Sequence, residues 1–176
     1  LVAILLEKGY SVLAVSRSLS NLQARPWVNH PRVELRQVDI FDLKSLRAAC
    51  EDCDAAYYLV HSMNPHHRNF AKADRQAAEN MVRAAKESNL KRIIYLSGLG
   101  NREEKLSRHL RSRAEVSEIL HCAKIPATTF RAAMVIGEGS VAFEILRLVA
   151  NRSPVIIHSK WTQTQSQPIA IRNDLN

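Results

Sequence analysis

Arg92-Ile93-Ile94-Tyr95-Leu96-Ser97-Gly98-Leu99-Gly100 is the stretch on which the fold turns. Four β-branched, aromatic and aliphatic residues run into Ser-Gly-x-Gly, with helix-patterned segments before and after. A continuous apolar run between two helical patterns is the mark of a parallel strand covered on both faces. In an open α/β sheet, ligands bind beyond the carboxyl ends of such strands. Ser97 and the glycine turn at 98–100 therefore fall where chemistry would take place.

Upstream, residues 69–90 carry Phe70, Ala73, Ala77, Met81, Ala84 and Ala85 on one helical face, with most charges off it. This is the crossover helix expected between a buried strand at 55–60 and the Ile93 strand, and a right-handed crossover makes the two strands parallel neighbours. Nearer the start, residues 1–8 read as a helix stopped by Gly9, and 11–16 as a strand. Residues 21–31 form an aperiodic connection, and 33–38 alternate like a strand. Asp42 can cap a helix through Cys50 that shows Leu43, Leu46 and Ala49 on one face. Downstream come a helix at 103–123, a strand at 125–131, a loop over 132–140, a helix at 141–151 and a short strand at 154–158. Alternating strands and helices of this kind predict one α/β domain over residues 1–176, a doubly wound parallel sheet between two helical layers.

The chain has 176 residues, 46% of them hydrophobic, enough for a single core. No run of about 18 apolar residues and no charged-then-apolar leader occurs, so we expect neither a membrane span nor a signal peptide, and a cytoplasmic setting. The first residue, Leu1, already lies inside a helical pattern, and residues 167–174 resemble a stretch that runs on into a further helix; both ends are expected to be incomplete. The net charge is +8. Residues 91–131 hold nine basic and four acidic side chains, so the charge gathers near the mouth of the sheet. The only aromatic residues of this window, Tyr95 and Phe130, sit in strand-patterned runs and are not interleaved along a basic stripe, which favours a phosphate-rich small molecule over nucleic acid. Three cysteines argue against a disulfide framework. Cys50-x-x-Cys53 has redox spacing but sits at a helix end instead of the N-terminus that would activate a thiol. His61, His66 and His67 lack an acid or thiol placed to complete a metal site, so no metal is expected.

Tyr95-Leu96-Ser97-Gly98-Leu99-Gly100, taken with Tyr57-Tyr58-Leu59-Val60-His61-Ser62-Met63 and His109-Leu110-Arg111-Ser112-Arg113, resembles the atypical short-chain dehydrogenase/reductase superfamily, in particular its NAD(P)-binding epimerase-like and nitrogen-metabolite-regulator-like branches. The likeness spans nearly the whole chain and implies a Rossmann-like fold with a nicotinamide dinucleotide cofactor. In that fold the end of the second strand meets the adenosine ribose, where an arginine accepts a 2′-phosphate. Arg17 stands at that point, so NADP is expected over NAD, although Arg17 is equally placed to be a solvated loop residue. The resemblance also puts Asp39 and Ile40 at the adenine, and Val60, Ala132 and Val135 along the cofactor. His61, at a strand end, is read as a cofactor contact against a core histidine.

Two departures matter. Family enzymes pair a strand-end serine with a helical Tyr-x-x-x-Lys, whose i, i+4 spacing places phenol and amine on one helix face. No tyrosine of this chain has a lysine four residues on; His109-x-x-x-Arg113 holds the slot, twelve residues after Ser97. Arginine keeps a cation for ribose and phosphate but cannot release its proton, while a neutral histidine can relay one near pH 7. Ser97, His109 and Arg113 are thus the candidate catalytic residues, with Ser97 and Arg113 also against the cofactor. The second departure is the lack of a glycine-rich turn among five glycines. In the usual strand order the strand before that turn is central, so the Val12 and Tyr57 strands should lack a shared neighbour. The expected function is NADP-preferring oxidoreductase-like chemistry on an unidentified small molecule. The alternatives are a non-catalytic NADP-sensing or assembly module and, from the charge, an RNA-binding relative.

Overall fold

The computed structural model describes residues 1–60, 70–99, 107–137, 141–152 and 167–170. It divides into two compact units, Leu1–Phe130 and Arg131–Asn176. The first opens with α1 (Val2–Glu7), β1 (Val12–Ser16), α2 (Ser20–Gln23), β2 (Val33–Gln37), α3 (Leu43–Glu51) and β3 (Ala55–Tyr58). It continues through α4 (Phe70–Glu87), β4 (Arg92–Gly98), α5 (Arg108–His121) and β5 (Ala127–Ala132).

Local chemistry sets these boundaries. Gly9 ends α1 in the left-handed region, at φ 90°. From there Gly9 N donates to Leu6 O and Tyr10 N to Leu5 O, the paired bonds of a Schellman motif. Arg32 adds a guanidinium bond to Leu6 O at 2.7 Å. Asp42 caps α3 as expected, its carboxylate accepting from Lys44 N at 3.1 Å. Asn89 closes α4 with φ 59°, a conformation asparagine tolerates better than most residues.

β1 pairs with β2 in parallel, from Val12↔Val33 to Ser16↔Gln37. β3 pairs with β4 in parallel, from Ala55↔Arg92 to Tyr58↔Tyr95, and β5 flanks β4 on its other side. The expected α/β parallel architecture is present. So is the expected break: among the described residues no ladder joins β1 to β3. The break also corrects one expectation. Residues 55–60 were to be a buried strand, yet Tyr57, Leu59 and Val60 are 41%, 51% and 43% exposed. Among the described residues β3 is paired along one edge only, and Tyr57 on its outward face stays open to solvent.

One core serves both sheets. Val38, Ile40 and Leu46 pack with Tyr58, Ile93, Tyr95, Val116 and Leu120 around α4. Ala77, Ala78, Ala84 and Ala85 on α4 are wholly buried, and their small side chains let α3 and α5 approach closely. The buried face of α4 also includes Asp74, a carboxylate 7% exposed, which the helical periodicity did not single out.

Three connections differ from expectation. The aperiodic stretch after β1 contains the single-turn α2. The loop foreseen over 132–140 contains a strand, β6 (Met134–Ile136), which pairs in parallel with β7 (Pro168–Ala170) in the second unit. α5 runs over Arg108–His121, and the part of the foreseen helix at 103–106 lies outside the described residues. The second unit also carries α6 (Val141–Arg152), matching the expected helix. The strand foreseen at 154–158 and the histidine-rich residues 61–67 lie outside the described residues.

Candidate active site at the end of β4

β4 alternates cleanly. Ile93, Tyr95 and Ser97 turn to the buried face at 0%, 3% and 6% exposed, while Ile94, Leu96 and Gly98 are half-buried. Ser97 therefore presents its hydroxyl to the side covered by α4 and α5, as period-2 geometry requires. Gly98 follows because there is little room for a side chain. A Cβ there would stand 2.7 Å from Leu110 Cδ2 and 3.8 Å from Arg113 Cδ. The missing methylene lets the first turns of α5 close over the strand end.

α5 is started by Ser107, whose hydroxyl accepts from Leu110 N at 3.2 Å. His109 and Arg113 then share one face, and Arg113 Nε donates to His109 Nε2 at 3.5 Å, the long limit of a hydrogen bond. Arg113 Nη1 donates to Leu96 O at 3.0 Å. The helix cation is thus fixed to the residue beside Ser97, and the three residues singled out by the sequence converge on the β4–α5 junction.

The sequence reasoning missed a buried group beside them. The Tyr95 phenol, on the same buried strand face as Ser97, donates to Arg113 O at 3.4 Å. Burial pushes its pKa up, partly offset by the Arg113 charge and the Ser97 hydroxyl. Tyr58 stacks edge-on against it, with ring centroids 5.7 Å apart, and its own phenol is raised first by burial and then by the Asp74 charge. Asp74 in turn accepts from Ser112 Oγ at 2.9 Å, both side chains being buried. Two signals were available: a tyrosine two residues before Ser97 shares its strand face, and Asp74 falls among the alanines of the apolar face of α4.

The other candidates lie elsewhere. Arg17, exposed after β1, has its carbonyl held by Gln37 Nε2 at 3.1 Å, leaving its guanidinium toward solvent. The turn around it is rich in hydroxyls: Ser16 Oγ accepts from Ser18 N at 3.3 Å, and Ser18 and Ser20 hydroxyls meet at 2.7 Å. Asp39 is exposed and accepts from Phe41 N at 3.0 Å, a turn-forming contact. Ile40 is 9% exposed and belongs to the core, its carbonyl accepting from Asn80 Nδ2 at 2.9 Å. Val60 is exposed just past β3. His61 lies outside the described residues. Ala132 ends β5, and Val135 sits in β6 opposite Ile169.

Among the described residues no three His, Cys, Asp or Glu gather closely enough to hold a metal, and no helix is long and apolar enough to cross a membrane. Cys50 is buried and Cys53 half-buried; both are free thiols with raised pKa, chiefly from burial, the opposite of an activated pair.

The residues present fit a dinucleotide at both ends, a cation with hydroxyls after β1 and a cation with Ser97 after β4. Residues 1–149 match the family described as NAD(P)H-binding. Over 108 residues the chain is 29% identical to cinnamoyl-CoA reductase 1 of Petunia hybrida, covering 57% of this chain and 31% of that one. It superposes on the dTDP-glucose 4,6-dehydratase DesIV of Streptomyces venezuelae with NAD bound (TM-score 0.79, 13% identity, 99% of this chain and 65% of that one). It also superposes on the triphenylmethane reductase of Citrobacter sp. complexed with NADP(H) (TM-score 0.62, 21% identity, 76% and 45%). At these identities the superpositions establish the fold. The chain spans less than two thirds of each of these proteins.

Proposed function

Because the chain belongs to the NAD(P)H-binding family, we propose that it acts as a nicotinamide-dependent oxidoreductase, cytoplasmic and NADP-preferring, on a small carbonyl or alcohol. The observation that carries this is the convergence at the end of β4: the Ser97 hydroxyl and the Arg113 guanidinium stand at the carboxyl end of a central strand, where this fold places its ligands. A bound nicotinamide would supply or accept hydride there. The chain's own part is to hold the ribose and phosphate with Arg113, to place the Ser97 hydroxyl at the reacting oxygen, and to let His109, on the same helix face, exchange protons with solvent.

Preference for the phosphorylated cofactor rests on the exposed Arg17 guanidinium and its hydroxyl-lined turn. NADPH should bind about tenfold or more tightly than NADH, as one charge-assisted contact is worth. Nicotinamide fluorescence titration measures this directly, and Arg17→Ala should erase the difference. Equal affinities in the unaltered chain would sink the preference.

A second reading, a non-catalytic NADP-sensing module, is supported by the 6% exposure of Ser97 and by the helix lacking Tyr-x-x-x-Lys. Tight NADPH binding without reduction of any carbonyl in a broad panel would favour it.

A further inference from the structure

We propose a second binding site, at the opposite end of β1 from Arg17, that takes an α-amino acid with an apolar side chain. It is independent of the oxidoreductase reading above. α1 and the connection that runs into β2 enclose a cavity of about 520 Å³. Sites for small molecules fall in the range of roughly 300–1,000 Å³. The apolar lining is Ala3 and Leu6 from α1 with Pro26 and the half-buried Trp27 from the connection. The polar lining is Glu7, His30 and Arg32.

The charges select the ligand class. Arg32 Nη2 donates to Leu6 O at 2.7 Å, which holds the guanidinium beside the residue next to Glu7. Among the described residues, however, Glu7 pairs with no base and Arg32 with no acid. A carboxylate in the last turn of a helix is disfavoured by the helix dipole, and that turn of α1 holds no basic residue to offset it. A ligand ammonium would meet both the Glu7 carboxylate and the carbonyl end of α1. A ligand carboxylate would meet the Arg32 donors that are not spent on Leu6. His30 adds a neutral donor: its Nδ1 accepts from Arg32 N at 3.1 Å, so the ring proton is on Nε2. A cation and an anion offered from neighbouring points suit an ammonium and a carboxylate carried on one carbon. The wall of Trp27 and Pro26 suits the apolar side chain which that carbon bears. A simple anion or a simple amine would leave one of the two charges unmet.

The test is calorimetric titration of the full chain with L-phenylalanine. We expect one saturable event with Kd below about 1 mM, and about tenfold or weaker binding of 3-phenylpropionate and of phenethylamine, each of which lacks one charge. Glu7 is exposed, and Glu7→Gln removes a charge that the helix end disfavours, so the variant should fold as the unaltered chain does. It should weaken L-phenylalanine about tenfold and leave 3-phenylpropionate unchanged. Titration in saturating NADP+ should give the same Kd. Absence of saturable heat up to about 10 mM, equal affinity for the three compounds, unaltered affinity in Glu7→Gln, or displacement by NADP+ would each overturn the proposal.

Discussion

Arg113 reaches back from α5 to donate through Nη1 to the Leu96 carbonyl at 3.0 Å, so a helix side chain is fastened to the backbone one residue before Ser97. Its planar fork serves Leu96 through one nitrogen and His109 through another, which a lysine ammonium cannot reproduce at the same reach. We expect Arg113→Lys to cost about 1 kcal/mol, the low end for a charged donor because the group is half-buried. Urea unfolding would show it as a lower midpoint at unchanged slope.

Gly98 should resist substitution for a steric reason alone. An alanine Cβ would stand 2.7 Å from Leu110 Cδ2, the far end of a flexible side chain, so Gly98→Ala should cost about 1 kcal/mol. In a Leu110→Ala background most of that cost should vanish. A double-mutant cycle with no coupling would show that Leu110 is not what meets the new methyl group.

Asp74 and Ser112 bridge α4 and α5 inside the core at 2.9 Å. Asp74→Ala strands the buried Ser112 hydroxyl and should destabilise the chain by about 1–3 kcal/mol. Asp74→Asn keeps an acceptor for Ser112 and should retain most of the stability, as equilibrium unfolding of the two variants would report.

Alkaline pH should unfold the protein earlier than its charge suggests. Burial pushes the Cys50 thiol up from 9.0 to about 11. The folded chain then holds a proton that the unfolded chain has released, so this contribution is full below pH 9 and is lost as pH rises through about 11. Its size is up to about 2–3 kcal/mol. The raised phenols of Tyr58 and Tyr95 act in the same direction once the pH passes their ordinary value of 10.0. Thermal midpoints measured from pH 8 to 11 should fall, and Cys50→Ala should flatten the first part of the decline.

Periodicity made most of the architecture legible. The Ile93 run, the α4 pattern and the Gly9 stop each follow from one local rule, and β4, α4 and α1 lie where those rules put them. β6 escaped because three residues after a strand carry too short a pattern to separate from a loop, and its partner β7 lies some thirty residues on in the sequence. The exposure of Tyr57 was hidden for another reason: apolar composition reports what a strand can bury, whereas its burial depends on the neighbours it has. Of the candidate site, Ser97, His109 and Arg113 were proposed from spacing and resemblance. Tyr95 and Asp74 were not, because their roles come from contacts made across β3, β4, α4 and α5.

The break between β1 and β3 gives the backbone two separate networks. Among the described residues, β1–β2 is tied to the rest by side-chain packing, including Val38 in the common core and α3 on α4, and by the Asn80 amide on the Ile40 carbonyl at 2.9 Å. Amide protons report such a division in time. The amides of the central strand β4, which carries the wholly buried Ile93, should exchange with solvent deuterium only on global opening. Those of β1–β2 should exchange as a second, faster group, through openings that leave Tyr95, Ser97 and Arg113 in place.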